Sequence, residues 1–285
     1  MTTDVVSKTV LITGCSTGIG NATARLLAAN GWKVVATARR VADLADLKTA
    51  GCSVLALDVT DEASMQAAVA EVERTDGAVG VLVNNAGYSQ GGAIESVSME
   101  RVERQFATNV FGTVRMAQLV LPGMRSQRWG KIVNIGSMGG KLTFPGGGFY
   151  HATKYALEAI TDALRFEVKG FGIDAILIEP GLIRSHFGDT AAGSITDGTP
   201  SDDPYAQFNA AAAKATTEAY EAGPLARLGG APEAVASTIE RAISASRPRG
   251  RYTVTPSATM MIGLRRFLTD SAWDGFLASQ FPRPK

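Results

Sequence analysis

Short runs rich in β-branched and apolar residues recur along the chain at 9–12, 33–37, 53–58, 79–83, 131–135, 174–178 and 251–255, and helix-period segments lie between them. That alternation predicts βαβ crossovers and a parallel sheet. Val10-Leu11-Ile12, Val81-Leu82-Val83 and Ala175-Ile176-Leu177-Ile178 are apolar at every position, as suits strands covered by helices on both faces. Between the runs, Ile19, Ala22, Leu26 and Leu27 share a helical face that stops at Asn30-Gly31. Asp61 is placed to cap a helix carrying Met65, Ala68, Val69 and Val72. Ser98 is placed likewise before a long segment through Val102, Phe106 and Val110.

No linker or repeat divides the chain, so one domain over 1–285 is expected. Regularity lapses only at 182–224, where Gly, Thr, Asp and Pro cluster around 194–204 before an Ala-rich helical stretch at 205–222. A long insertion of this kind in a compact domain is usually functional or disordered.

Composition narrows the classes. Hydrophobic residues make up 45% and charged residues 19%, ample for a large core. With 28 basic and 27 acidic residues the net charge is +1, and no global field draws the protein to nucleic acid. Cys15, Cys52, His151 and His186 are too few and scattered for a disulfide framework or a zinc site, so a reduced, metal-free protein of the cytoplasm is expected. Residues 1–8 lack the charged-then-apolar pattern of a signal peptide, and no apolar stretch is long enough to span a membrane.

The first chemical motif is Thr13-Gly14-Cys15-Ser16-Thr17-Gly18-Ile19-Gly20, between a strand and a helix. Gly14 permits a sharp turn, Gly18 close approach to a pyrophosphate and Gly20 tight helix packing, while the helix N-terminus offers amide donors. Ser16 and Thr17 add hydroxyls, and Cys15 reads as a packed side chain because no basic residue adjoins it. At the end of the second strand, where an NAD site would carry a carboxylate for the ribose, the chain has Thr37-Ala38-Arg39-Arg40. Arg39 suits a 2′-phosphate and favours NADP(H) over NAD(H). The alternative leaves both arginines in solvent and gives the ribose to Asp43 or Asp46. Asp58, followed by Val59, is open to two readings, an adenine contact or a turn residue. Asn84-Asn85-Ala86-Gly87 follows a strand directly, at the edge where open α/β sheets bind ligands.

Beyond the strand at 131–135 stands Ser137, and then Tyr150-His151-Ala152-Thr153-Lys154 opens a helix. Four-residue spacing puts Tyr150 and Lys154 on one face, so an ammonium can lie near the phenol. Bringing a phenol from about 10 to neutrality takes roughly 4 kcal/mol of preference for phenolate, which Lys154 and an oxidised nicotinamide are expected to supply.

In this order, these residues resemble the short-chain dehydrogenase/reductase family of the classical kind. The match runs through 13–20, Asp58, 84–87, Asn109 in Thr-Asn-Val-Phe-Gly, Ser137, Tyr150-x3-Lys154 and Pro180-Gly181. The resemblance implies a Rossmann-type, doubly wound sheet of about seven strands and a nicotinamide cofactor. It implies a tetrad of Asn109, Ser137, Tyr150 and Lys154: Tyr150 exchanging a proton with the substrate oxygen, Ser137 bonding that oxygen, Lys154 binding the ribose and lowering the Tyr150 pKa, and Asn109 holding a water through its backbone. Pro180 and Gly181 would lie against the nicotinamide. The cofactor half would then occupy about 1–181, a substrate lid 182–224 and a C-terminal helical extension 256–285.

The resemblance leans towards members acting on hydroxysteroids, retinol or similar lipophilic alcohols and carbonyls, and implies a homodimer or homotetramer paired through helices around 102–120 and 150–168. In the extension, Met260, Met261, Ile262, Leu264, Phe267, Leu268, Trp273, Phe276 and Leu277 have amphipathic spacing, read as cover for the substrate mouth or a subunit contact. His151 reads as a turn residue and His186 as a lid residue. The competing functions are a dinucleotide-binding sensor without activity and an enoyl reductase.

Overall fold

The computed structural model describes residues 6–197, 200, 202–221 and 225–284; residues 1–5 and 285, and positions 198, 199, 201 and 222–224 of the expected lid, lie outside those described. The chain runs β1 (Val10–Ile12), α1 (Gly18–Ala29), β2 (Val34–Ala38), α2 (Ala45–Thr49), β3 (Ser53–Ala56), α3 (Glu62–Asp76), β4 (Val81–Asn84), α4 (Met99–Phe106), α5 (Thr113–Ser126), β5 (Gly130–Ile135), α6 (Gly148–Val168) and β6 (Ile173–Pro180). It continues through α7 (Phe187–Thr196), α8 (Ala206–Glu221), α9 (Pro232–Ser244), β7 (Arg251–Val254), α10 (Pro256–Phe267) and α11 (Asp270–Gln280). All seven expected strands form, pairing in parallel in the order β3-β2-β1-β4-β5-β6-β7. This is the doubly wound sheet, its order reversing direction at β1 and β4.

Strand residues alternate between two cores, as a period of two requires. Val10, Ile12, Val81, Val83, Val133 and Ile135 pack on one side with Leu27 of α1 and Val235 and Ile239 of α9. Leu11, Leu82 and Ile132 point the other way, onto Met65 and Val69 of α3 and Met116 and Val120 of α5. Each such side chain removed from water contributes about 1.5–3 kcal/mol, which fixes strand register and hence the positions of the strand ends.

The local readings fare unevenly. Asp61 caps α3 by accepting from the Ser64 amide, and Met65, Ala68, Val69 and Val72 are buried. On α1 the buried positions are Gly20, Thr23, Ala24 and Leu27, a stripe rotated from the expected one because the helix lies against α9 as well as the sheet. Ser98 precedes α4 but its side chain makes no cap hydrogen bond. The expected continuous helix from there is interrupted by a π turn, Ala107–Gly112, that carries Asn109. The insertion after 182 is largely helical in its described parts, since α7 reaches Thr196 and α8 begins at Ala206.

A third apolar cluster lies outside both sheet cores. Ala258 and Met261 of α10 and Trp273 of α11 pack with Met138, Leu142 and Leu182, and with the half-buried Phe144 and Tyr220. The carboxyl-terminal segment is therefore two helices that rest on the loop after β5 and on the first residues beyond β6.

Candidate active site

A cleft of about 840 Å³ opens along the carboxyl ends of the strands. Of the residues expected to bind cofactor or act on substrate, all but Gly20 and Asn109 line it. Gly20 sits behind the turn: a Cβ there would fall 2.4 Å from the Gly14 carbonyl oxygen and 2.5 Å from the Asn85 amide nitrogen. Gly14, at φ +71°, passes so near β4 that a Cβ would meet Ala86 Cα at 2.9 Å. Thr13 and Asn85 lock this crossing. Thr13 Oγ1 accepts from the backbone amides of Asn85 and Ala86 at 3.0 Å each, and Asn85 Nδ2 donates to the Thr13 and Gly14 carbonyls at 2.9 Å each. The Asn85 side chain thus shapes the turn, a use its sequence position does not reveal. Thr17 caps α1 without a side-chain hydrogen bond, so the first helical amides face the cleft as an anion site. A turn drawn tight at Gly14 and Gly20 and a free helix N-terminus fit the pyrophosphate of a dinucleotide.

At the end of β2 the two arginines separate. Arg40 is paired with Asp43 at 2.9 Å, whereas Arg39 lines the cleft and makes no side-chain ion pair or hydrogen bond among the described residues. Asp46 is held by Asn21 and Arg25, and its carboxyl titrates below the usual range, chiefly through the Asn21 hydrogen bond. Both carboxylates of the NAD-type alternative are therefore committed elsewhere. Asp58 serves the turn, accepting from the Thr60 amide at 2.9 Å and its hydroxyl at 2.7 Å, while also lining the cleft beside Val59.

Ser137, Tyr150 and Lys154 converge in the same cleft. Tyr150 and Lys154 lie on the first turns of α6, with Lys154 Nζ 5.7 Å from the Tyr150 ring centroid. The ammonium donates to the Ile135 carbonyl at 2.8 Å, at the end of β5. Ser137 Oγ accepts from the Gly139 amide at 3.0 Å. Burial pushes the Tyr150 phenol up to about 12, against the opposing hydrogen bond of Ser137, and burial lowers the Lys154 ammonium to about 8. The expected acidification of Tyr150 rests on Lys154 together with an oxidised nicotinamide, and burial acts against it. Both groups are largely withdrawn from water at the cleft wall, and desolvation disfavours phenolate and ammonium alike.

Asn109 stands behind the cleft. Its Nδ2 donates to the Tyr88 carbonyl at 2.9 Å and to Thr153 Oγ1 at 3.1 Å, and its Oδ1 accepts from the Tyr88 amide at 3.1 Å. It joins the loop after β4 to α6 one residue before Lys154.

His151 is no simple turn residue. Its Nε2 accepts from the Phe144 amide at 3.2 Å, so Nδ1 carries the proton and donates to the Gly139 carbonyl at 3.0 Å. Burial lowers its pKa to about 4, and the neutral ring clamps the loop bearing Ser137 to the turn bearing Tyr150. Cys15 is buried, its thiol pushed up to about 12 by desolvation, consistent with packing.

The lid side of the cleft is formed by Ser185, His186, Phe187 and Thr190, with the Phe187 ring 5.6 Å from that of Tyr150. Several contacts hold it to the loop after β4 and to α4: Gln90 Nε2 donates to the Ser194 carbonyl at 3.2 Å, Ser194 Oγ accepts from the Gly91 amide at 2.9 Å, and Arg101 of α4 pairs with Asp197 at 2.9 Å. Tyr88, Gln90, Arg101 and Tyr220 line the cleft without sequence warning, since none belongs to a motif. Among the described residues no cluster of His, Cys, Asp or Glu is arranged to hold a metal, and no helix is long and apolar enough to cross a membrane.

Comparison with known proteins agrees with this geometry. The short chain dehydrogenase family model matches residues 8–192. The uncharacterized oxidoreductase YbbO of Escherichia coli K12 is 35% identical over 278 residues, 97% of this chain and 96% of that one. The 3-ketodihydrosphingosine reductase of Bacteroides thetaiotaomicron is 40% identical over 69% of this chain and 71% of its own. The NADPH-dependent 3-dehydrocapnine reductase of Ornithobacterium rhinotracheale is 33% identical over 93% and 94%. Among solved structures, a short-chain dehydrogenase from Streptomyces avermitilis aligns with TM-score 0.78 at 32% identity, covering 98% of this chain and 97% of that one. A short-chain dehydrogenase/reductase from Burkholderia phymatum in complex with NAD aligns with TM-score 0.77 at 25% identity, covering 98% and 96%.

Proposed function

The chain belongs to the short-chain dehydrogenase family, and from that premise we propose that it is an NADP(H)-preferring oxidoreductase interconverting a lipophilic alcohol and its ketone or aldehyde. The observation that carries this reading is the convergence of Ser137, Tyr150 and Lys154 in one cleft with the glycine turn and Arg39. The bound dinucleotide would supply or accept the hydride at the substrate carbon. Gly14, Ser16, Thr17, Gly18 and Ile19 would hold its pyrophosphate, Arg39 with Ser16 the 2′-phosphate, Asp58 and Val59 the adenine, 85–87 with Pro180 and Gly181 the nicotinamide side, and Lys154 the ribose.

In the reducing direction the chain's own residues carry the proton that the substrate oxygen needs. With its pKa at about 12, Tyr150 is protonated at neutral pH and stands ready as a general acid, while Ser137 bonds the same substrate oxygen. Lys154, at about 8, is mostly ammonium at pH 7 and lies beside the phenolate left behind. Two relatives are named as reductases, one of them NADPH-dependent, which supports the direction and the cofactor. The neighbour bound to NAD keeps NAD(H) as a weaker alternative.

Phe187 and Ile183 give the cleft apolar walls that suit steroid-like or retinoid-like substrates. The described residues 183–197, with Tyr220, would act as the lid, and α10 and α11 would cover the substrate mouth or form a subunit contact. Exposed Phe111, Tyr155 and Phe166 support pairing of α4–α5 and α6 into a homodimer or homotetramer, and we assign the protein to the cytoplasm.

The test is Tyr150→Phe, assayed by NADPH oxidation over a panel of lipophilic ketones and aldehydes. Turnover is expected to fall by about a hundredfold or more with NADPH binding retained, since general acid catalysis is worth 10²–10⁴. Unchanged turnover would remove Tyr150 from the chemistry. An assay in which an enoyl thioester is reduced and ketones are not would favour an enoyl reductase, and tight NADPH binding without turnover of any substrate would favour a sensor.

A further inference from the structure

Tyr220, on the last turn of α8, brings a second phenol into the cleft that holds Tyr150. Its ring is set from two sides. One is the apolar cluster of Met138, Leu142, Leu182 and Trp273. The other is Gly188 of α7, where a Cβ would strike the ring at 2.8 Å, so the absence of a side chain there makes the seat. The neighbouring Phe187 is the residue whose ring lies 5.6 Å from that of Tyr150. The Tyr220 ring is therefore held by the same turn of α7 that flanks the reacting phenol.

The hydroxyl is not used by the fold. It makes no hydrogen bond among the described residues, although burial raises its pKa and the Tyr150 phenol is close enough to raise it further. Packing alone would be served as well by phenylalanine. A half-buried hydroxyl that lines the cleft and has no partner in the fold is free to bond a group that the cleft receives. On the same cleft wall Phe187 and Ile183 present apolar surface. The polar groups on the Tyr150 side, Ser137 and Tyr150 itself, are assigned above to the reacting oxygen.

Resting on the oxidoreductase reading, we propose that Tyr220 is a specificity-determining residue whose hydroxyl hydrogen-bonds a hydroxyl group carried next to the reacting carbonyl, so that the substrate class is a hydroxy ketone with an apolar chain rather than a plain alkyl ketone. Ser137 and Tyr150 take the carbonyl oxygen, Tyr220 takes the neighbouring hydroxyl, and the apolar wall takes the chain. A site built to bond a substrate hydroxyl discriminates against the analogue lacking it, because the protein group is then left unpaired.

Wild type and Tyr220→Phe are compared with 1-hydroxy-2-decanone and 2-decanone at saturating NADPH. The variant keeps the ring that fills the Gly188 seat, so its fold is expected to be retained, as its melting temperature will report. Wild type is expected to prefer the hydroxy ketone. Tyr220→Phe is expected to lose about five- to tenfold in kcat/KM for it, while 2-decanone changes by less than about twofold. Equal effects on the two ketones, or no preference in wild type, overturn the assignment of Tyr220 and leave the oxidoreductase reading standing. If wild type reduces neither these nor any ketone of the panel, the oxidoreductase reading fails and this assignment falls with it.

Discussion

Replacing Lys154 by methionine keeps the length of the side chain while removing a charge that is buried at the cleft wall. The fall of its pKa from 10.5 to about 8 corresponds to about 3 kcal/mol against the ammonium. Deleting its hydrogen bond to the Ile135 carbonyl gives back about 1 kcal/mol. At pH 7, where native Lys154 is still mostly charged, Lys154→Met is therefore expected to be more stable than wild type by about 2 kcal/mol, or roughly 5 °C for a domain of this size. The pH dependence follows from proton binding. A lysine whose native pKa lies below its unfolded value sheds its proton first in the folded state, so wild type gains stability as pH rises from about 8 to 10.5. Over that window the advantage of methionine should shrink and then reverse. Urea unfolding of both proteins without dinucleotide at pH 7, 9 and 10.5 measures this directly, and turnover of the variant should be lost. A variant less stable than wild type at pH 7, or a difference indifferent to pH, would refute the reasoning that this ammonium is held against its solvation.

Two further substitutions test the ends of the cleft. Arg39→Ala should raise the KM for NADPH about tenfold or more and that for NADH by less than about twofold, because only the former carries the phosphate that a free guanidinium can bond; equal losses in steady-state kinetics would reassign Arg39. His151→Phe keeps a ring but loses the bonds to Gly139 and Phe144. It should lower kcat about tenfold with the KM for NADPH unchanged and a larger primary isotope effect from deuterated NADPH, whereas a drop in melting temperature alone would make the clamp merely structural.

The central strands were legible because each is a compact run of β-branched and aliphatic residues buried on both faces, whereas the edge strands β3 and β7 are only partly buried and were legible mainly from their place in the alternation. The glycine turn was legible for a similar reason: Gly14 and Gly20 stand where any Cβ collides with backbone. The π turn at Ala107–Gly112 was not, since nothing in Ala-Thr-Asn-Val-Phe-Gly disfavours an ordinary helix and the widening answers to tertiary contacts of Asn109 with Tyr88 and Thr153. A four-residue spacing shows that a cation is near Tyr150, but not that burial acts on the phenol and on that cation alike. The clamp by His151 and the phenol of Tyr220 depend on partners such as Phe144, Gly139 and Gly188, and no local pattern announces them.

Met138 and Leu142, just beyond Ser137, are packed against Ala258, Met261 and Trp273, more than a hundred residues further along. On a translating ribosome, the sheet and its glycine turn can therefore assemble while the serine loop still lacks the apolar support it rests on. Competence should arrive late, after residue 273 has cleared the exit tunnel. A nascent chain stalled before that point would grip a dinucleotide yet leave its hydride unspent.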